Sequence, residues 1–312
     1  MKVFVTGGSG LVGSTVIDRL LARGDDVVAI DNFVTGRRDN LTPHPRLDLV
    51  EDSIIDAAVV DRLIGECRPD VMIHAAASYK DPDDWQGDAL TNCVGSANIA
   101  RACKVHKVER LIYFQTALCY GTNPREQPIT LDHPIDPVNS SYAVSKTAGE
   151  NYIQLSGVDW ITFRLANCVG PRNVSGPLPI FFDRLLQGKR CFVTEARRDF
   201  VFVADLAEIV LKAADGTGHG TYHFSSGRDV AIKELYDAVV RAMQLNEYPE
   251  PEIRPLGADE APTILLDPSR TVADFGELRF TPLDEIVGKT VAYYRQYGVQ
   301  GGYTHLRSGK DS

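Results

Sequence analysis

The sequence offers no apolar run approaching the roughly 20 residues that a bilayer-spanning helix needs, so no segment is expected to cross a membrane. Positive charge is also in short supply. The 42 Asp and Glu against 33 Lys and Arg leave a net charge of −9, which opposes attraction to nucleic acid or to an anionic membrane surface. Any bound anion must therefore be held by local groups. C-x-x-C pairs are missing: Cys67, Cys93, Cys103, Cys119, Cys168 and Cys191 stand singly, so reduced, packed thiols are expected and no metal centre is. There is no room for a secretory leader before the first glycine loop, and a cytoplasmic location is expected. Repeats and low-complexity stretches are absent. What remains is ordinary, with 312 residues, 44% hydrophobic and 24% charged, and predicts a sizeable core in one large or two joined domains.

Short β-branched runs at residues 3–6, 26–30, 71–74, 111–115 and 160–164 alternate with helical patterns at 14–23, 57–67 and 88–106. That alternation predicts an α/β fold built on a parallel sheet with helices on both faces. After residue 166 the chain becomes rich in Pro, Gly and Asn, returns to strand-then-helix near 200–216, and continues as short strands and amphipathic helices. The expected division is residues 1–166, with the return segment at about 200–216, as the sheet domain. A smaller mixed α/β lobe takes 167–199 and 217–312, and residues 307–312 should fray.

Thr6-Gly7-Gly8-Ser9-Gly10-Leu11-Val12-Gly13 follows the first strand and opens a helix, which lets backbone amides and the helix N-terminus face a pyrophosphate. Asp31 closes the second strand 18 residues beyond Gly13. A carboxylate there accepts hydrogen bonds from a ribose 2′-hydroxyl and repels a 2′-phosphate, so a doubly wound Rossmann domain carrying NAD rather than NADP is expected. Arg37 and Arg38 argue the other way, since either could hold a 2′-phosphate.

Tyr142 and Lys146 stand four apart at the start of a helix, after the cap-like run Asn139-Ser140-Ser141, and so share a face. A neighbouring ammonium stabilises a phenolate, bringing a group with a reference pKa near 10 toward the range where it can take a proton. The three-and-three glycine spacing together with Tyr-x-x-x-Lys resembles the extended branch of the short-chain dehydrogenase/reductase family.

That resemblance implies a third reacting residue, Thr116, four residues before Tyr120-Gly121. It implies cofactor contacts from Gly7, Ser9, Gly10, Leu11, Val12, Gly13, Asp31, Asn32, Asp52, Ser53, the segment His74-Ala75-Ala76-Ala77, Asn92, Tyr142 and Lys146. Substrate contacts are implied for Lys80, Thr116, Asn167, Arg172, Phe192, Arg198 and Arg254, the last followed by Asp259-Glu260, with the arginines gripping a nucleotide-sugar diphosphate. It also implies a homodimer joined through the helices that bear Tyr142 and Asn92.

Similar enzymes include nucleotide-sugar epimerases, dehydratases, decarboxylases and reductases, and fold does not separate them. Ala117 and Leu118 stand where 4,6-dehydratases usually carry Asp and Glu. Neither can carry a proton, so the pattern is similar to UDP-glucose-type 4-epimerases, which oxidise C4 and return hydride to the other face. Gln115 in place of a usual serine, Cys119, and the segment at residues 78–85 are similar to bacterial enzymes that modify UDP-linked uronic acids and acetamido sugars for surface polysaccharide such as O-antigen. Lys80 or a neighbour is then expected to accommodate a C6 carboxylate or a 2- or 3-acetamido group. A dehydratase or net oxidoreductase, and a non-catalytic NAD-binding regulator, stand as the alternatives.

Overall fold

The computed structural model describes residues 1–138, 140–257, 260–299 and 302. The chain opens with β1 (Lys2–Thr6), α1 (Leu11–Arg23), β2 (Asp26–Asp31), β3 (Leu47–Glu51), α2 (Ala57–Cys67) and β4 (Val71–His74). Next come α3 (Trp85–Asp88), a π-helical segment over Ala89–Gly95, α4 (Ser96–His106), β5 (Arg110–Thr116), α5 (Ser141–Leu155) and β6 (Asp159–Leu165). Local chemistry sets several boundaries. Gly24, with φ of +100°, closes α1 by donating its N–H to Leu20 and Leu21, as a left-handed C-terminal glycine does. Asp56 caps α2 by accepting from the Ala58 and Val59 amides, and Ser140 caps α5 by accepting from Ala143. Asn139 lies outside the described residues.

The second half supplies β7 (Asn167–Val169), α6 (Pro177–Leu186), β8 (Phe192–Thr194), β9 (Arg197–Arg198), β10 (Phe200–Phe202), α7 (Val203–Ala214) and β11 (Gly220–Phe224). β12 (Val230–Ala231), α8 (Ile232–Met243), β13 (Glu252–Arg254), β14 (Thr263–Ile264), α9 (Ser269–Phe275) and α10 (Leu283–Tyr297) follow. Among the described residues no helix is long and apolar enough to cross a membrane.

Seven strands form the main sheet in the order β11-β6-β5-β4-β1-β2-β3, with every pairing parallel. The order reverses between β1 and β4, and that switch point opens a crevice at the carboxyl ends of the strands. Val3, Val5, Ile73, Ile112 and Phe163 face one layer with α1 and α7; Phe4, Met72, Leu111 and Tyr113 face the other with α2, α4 and Ile153 of α5. A separate core built on α6, α8 and α10 carries the lobe, and its short sheets pair β13 with β8 and β12 and β14 with β9.

The expected α/β doubly wound sheet with a smaller mixed lobe is therefore the fold, with three corrections. Gly220–Phe224, expected in the lobe, is the seventh strand of the main sheet, in register with Ile161–Leu165. Leu47–Glu51 adds an edge strand unforeseen because its half-buried face leaves only a weak apolar signal. The single helix expected over 88–106 is three segments, with a π turn that carries Asn92. Such turns gather at functional sites.

Candidate active site

The glycine loop is shaped by contacts that leave no room for side chains. A Cβ on Gly13 would lie 2.1 Å from the Gly7 carbonyl oxygen, and one on Gly7, where φ is +64°, would lie 2.7 Å from Ala76. Loop and β4 extension thus form one wall. They open on a cavity of about 280 Å³ whose lining includes Gly7, Gly10, Asp31, Asn32, Asp52, Ser53, Ala75, Ala76 and Ala77. Asp31 accepts from the Ser9 and Phe33 amides, both at 2.8 Å. Burial pushes its carboxyl pKa up, and the two amides work against that shift. Arg37 is bonded to Asp39, and Arg38 to Glu51 with its guanidinium over the Phe33 ring, so carboxylates elsewhere engage the two arginines that spoke for a 2′-phosphate.

Other residues expected at the cofactor stand behind this surface. The Ser9 hydroxyl is buried beneath the loop with no partner among the described residues. Leu11 and Val12 pack on the lobe core. His74 is fully buried, its Nδ1 2.6 Å from Thr6 Oγ1 and its Nε2 2.9 Å from Ser96 Oγ. Ser96 spends its hydrogen on the Asn92 carbonyl, so His74 Nε2 donates and Nδ1 accepts, the neutral tautomer. Burial, then the nearby Lys146 charge, lowers the His74 pKa to about 3. Asn92 clamps Ser78 through both backbone groups and donates to the Ser145 hydroxyl at 3.0 Å. His74 and Asn92 brace the wall rather than line the cavity.

On α5, Tyr142 and Lys146 lie one turn apart. Lys146 is buried with its ammonium 4.0 Å from the Tyr113 ring centroid, and Tyr113 donates to the Lys146 carbonyl at 3.0 Å. Burial lowers the Lys146 pKa to about 7, and Glu150 resists the shift. The Tyr142 ring packs against Tyr79, centroid to centroid 4.6 Å, and Tyr79 lines the cavity. Thr116 ends β5, and its hydroxyl accepts the Leu118 amide at 3.2 Å to start a turn over Ala117–Tyr120, leaving the hydroxyl hydrogen for donation.

The residues expected at the substrate divide. Arg254 lies over the Phe192 ring at 4.3 Å and pairs with Glu252, in β13, whose register sets it opposite Thr194. Arg198 reaches Glu260 at 3.7 Å, and Thr194 donates to that same carboxylate, so Phe192, Arg198 and Arg254 gather on one face of the lobe. Asp259 lies outside the described residues. Asn167 is exposed and donates to the Asp199 carbonyl. Two residues fall elsewhere. Arg172, with φ of +73°, turns its guanidinium onto Asp18 of α1 at 2.7 Å, tying lobe to sheet domain. Lys80 lies on the cavity shared with Asp31 and Asp52, because the Asn92 clamp on Ser78 folds its loop back over the strand ends.

The NAD dependent epimerase/dehydratase family model matches residues 3–224. The chain belongs to this family. It is 32% identical to a UDP-glucose 4-epimerase of Mycolicibacterium smegmatis, covering 95% of this chain and 99% of the relative. It is similar to the Bordetella bronchiseptica enzyme WbmH, solved in complex with NAD+, at 65% identity and a TM-score of 0.94 over 96% of this chain and 99% of that one. It is also similar to WbmG of the same organism, solved with NAD and UDP, at 40% identity and a TM-score of 0.89 over 98% of both chains. NAD is the cofactor of this epimerase/dehydratase family chain, and the cradle fits it: glycines open the loop where a Cβ would fill it, and the Asp31 carboxylate lies on the cavity.

Sequence reasoning passed over a second group. Glu150, one turn past Lys146, is buried against Arg164, and Gln115, Tyr120 and His223 complete the cluster. The signal was present: Tyr142, Lys146 and Glu150 recur every four residues on one helix face. Tyr79 was missed as well, since an isolated aromatic in a loop carries no periodicity.

Proposed function

We propose that the protein is an NAD-dependent 4-epimerase of a UDP-linked hexose or hexuronic acid, acting in the cytoplasm in the synthesis of surface polysaccharide. The observation that carries this reading is the turn after Thr116, where Ala117 and Leu118 supply no group able to hold a proton for water loss. Bound NAD supplies the hydride acceptor. Tyr142 takes the C4 hydroxyl proton, Lys146 favours the phenolate by its charge, and Thr116 donates its free hydrogen to the same sugar oxygen. With Ala117 and Leu118 unable to move a proton for water loss, the reading favours return of hydride to the opposite face of the keto sugar.

The UDP assignment draws on WbmG, solved with UDP, and on the M. smegmatis relative. Arg198, Arg254 and Asn167 would hold the diphosphate, with Phe192 as the apolar surface beside it. Lys80 lies on the cavity assigned to NAD, so the sugar's carboxylate or acetamido group is left to residues of the lobe. Cofactor binding belongs to residues 1–166 with 200–224, and substrate binding to the rest. Exposed Val94 on the π segment and Val144, Tyr152 and Leu155 on α5 would give a homodimer an apolar face.

The test is product NMR after incubation with a panel of UDP-hexoses, UDP-hexuronic acids and their acetamido derivatives without added reductant. Equilibrating C4 epimers support the reading. Accumulation of a keto or unsaturated sugar would replace it with the dehydratase, and no turnover of any sugar would reject it.

A further inference from the structure

Both stretches of chain leaving Thr116 lead to one buried carboxylate on α5, Glu150. On the N-terminal side, the Gln115 side chain accepts the Thr116 amide at 2.8 Å and donates to Glu150 Oε2 at 3.2 Å. On the C-terminal side, the turn over Ala117–Tyr120 ends in a hydroxyl that accepts from Arg164 Nη1 at 2.6 Å and lies 2.6 Å from His223 Nε2. His223 Nδ1 is 3.0 Å from the Asp267 carbonyl, so Nδ1 donates there and Nε2 accepts from Tyr120. Arg164 Nη2 in turn donates to both Glu150 oxygens at 3.2 Å. Gln115, Glu150 and Arg164 are all buried, where satisfied polar networks hold one geometry and tolerate few others.

We propose that Glu150, gripping Gln115 on one side and Arg164 on the other, is the positioning hub that registers the Thr116 turn against the Tyr142–Lys146 face of α5. The inference rests on the proposed roles of Thr116 and Tyr142 and adds the device that sets their separation. Glu150 touches no reacting atom. It acts through Thr116, and a misplacement of about 1 Å at such a site can cost on the order of 100-fold in rate.

Gln115→Met keeps the volume of the side chain and removes its three hydrogen bonds, to the Thr116 amide, Glu150 and Thr147. Its kcat should fall roughly 10- to 100-fold with KM for the sugar within about twofold, since the proposed diphosphate grip lies in the lobe. The double variant Glu150→Gln with Arg164→Met removes the charges as a pair, leaves no ion stranded, and should lower kcat likewise, with a shifted pH profile of kcat marking the separate loss of the Glu150 charge beside Lys146. Crystal structures of wild type and Gln115→Met give a readout that needs no substrate, with Thr116 expected to move by about 0.5 Å or more relative to Tyr142. Thr116 superimposing on its wild-type position in Gln115→Met, or kcat unchanged in that variant, overturns the hub. Wild type inactive on every sugar would instead reject the proposed function, and the crystal comparison would still judge the hub.

Discussion

In the proposed site the sheet domain and the lobe would hold their ligands by different means. In the sheet domain the grip is steric and made by backbone: glycines spaced by three, an amide pair on Asp31, and a neutral, buried His74 behind the wall. In the lobe the proposed grip would fall to long side chains, Arg198 and Arg254, carried on strands of two and three residues and leaning on Glu260, Glu252 and Phe192. A backbone grip tolerates almost no substitution and confers no choice of sugar. A side-chain grip is adjustable, and it is where relatives of one fold can diverge.

If that contrast is sound, the largest effect should come from Gly13→Ala. Its Cβ has no space beside the Gly7 carbonyl, and NAD affinity is expected to fall by about 100-fold or more if the chain folds at all, measured by cofactor titration. Tyr142→Phe should lower kcat by about 100- to 10,000-fold with the nucleotide still bound. Arg254→Ala should show the opposite split, raising KM about 10- to 100-fold with kcat nearly kept, so steady-state kinetics of the pair separates chemistry from grip.

Acid should weaken the sheet domain first. Folded His74 stays neutral down to about pH 3, whereas an unfolded imidazole takes a proton near pH 6.5, so the unfolded state binds more protons in between and stability falls as pH drops. Denaturant titrations at pH 7 and pH 4 should differ by about 3 kcal/mol from this group, a loss that His74→Asn should reduce. The smallest effect belongs to Thr162→Val in β6, whose buried hydroxyl has no partner among the described residues; stability should rise by up to about 1 kcal/mol in the same titrations.

The same contrast explains what the sequence made legible. Five main-sheet strands, α1, α2 and the Gly7–Gly13, Asp31 and Tyr142–Lys146 spacings could be read because each answers to a local rule of period, cap or clash. Gly220–Phe224 could not be assigned to the main sheet from its own residues, since its neighbour β6 lies far back in the chain. Arg172 was drawn toward the substrate by its motif, but a left-handed backbone turns it onto Asp18. The Gln115–Glu150–Arg164 cluster joins β5, α5 and β6, and only the folded chain brings the three together.

In the proposed reaction hydride leaves C4 and returns to C4. A UDP-sugar that the enzyme turns over, deuterated at C4 and incubated in light water, should yield both epimers with the label still at C4 by proton and deuterium NMR. Label lost to solvent, moved to another carbon, or retained on released reduced cofactor would contradict the account.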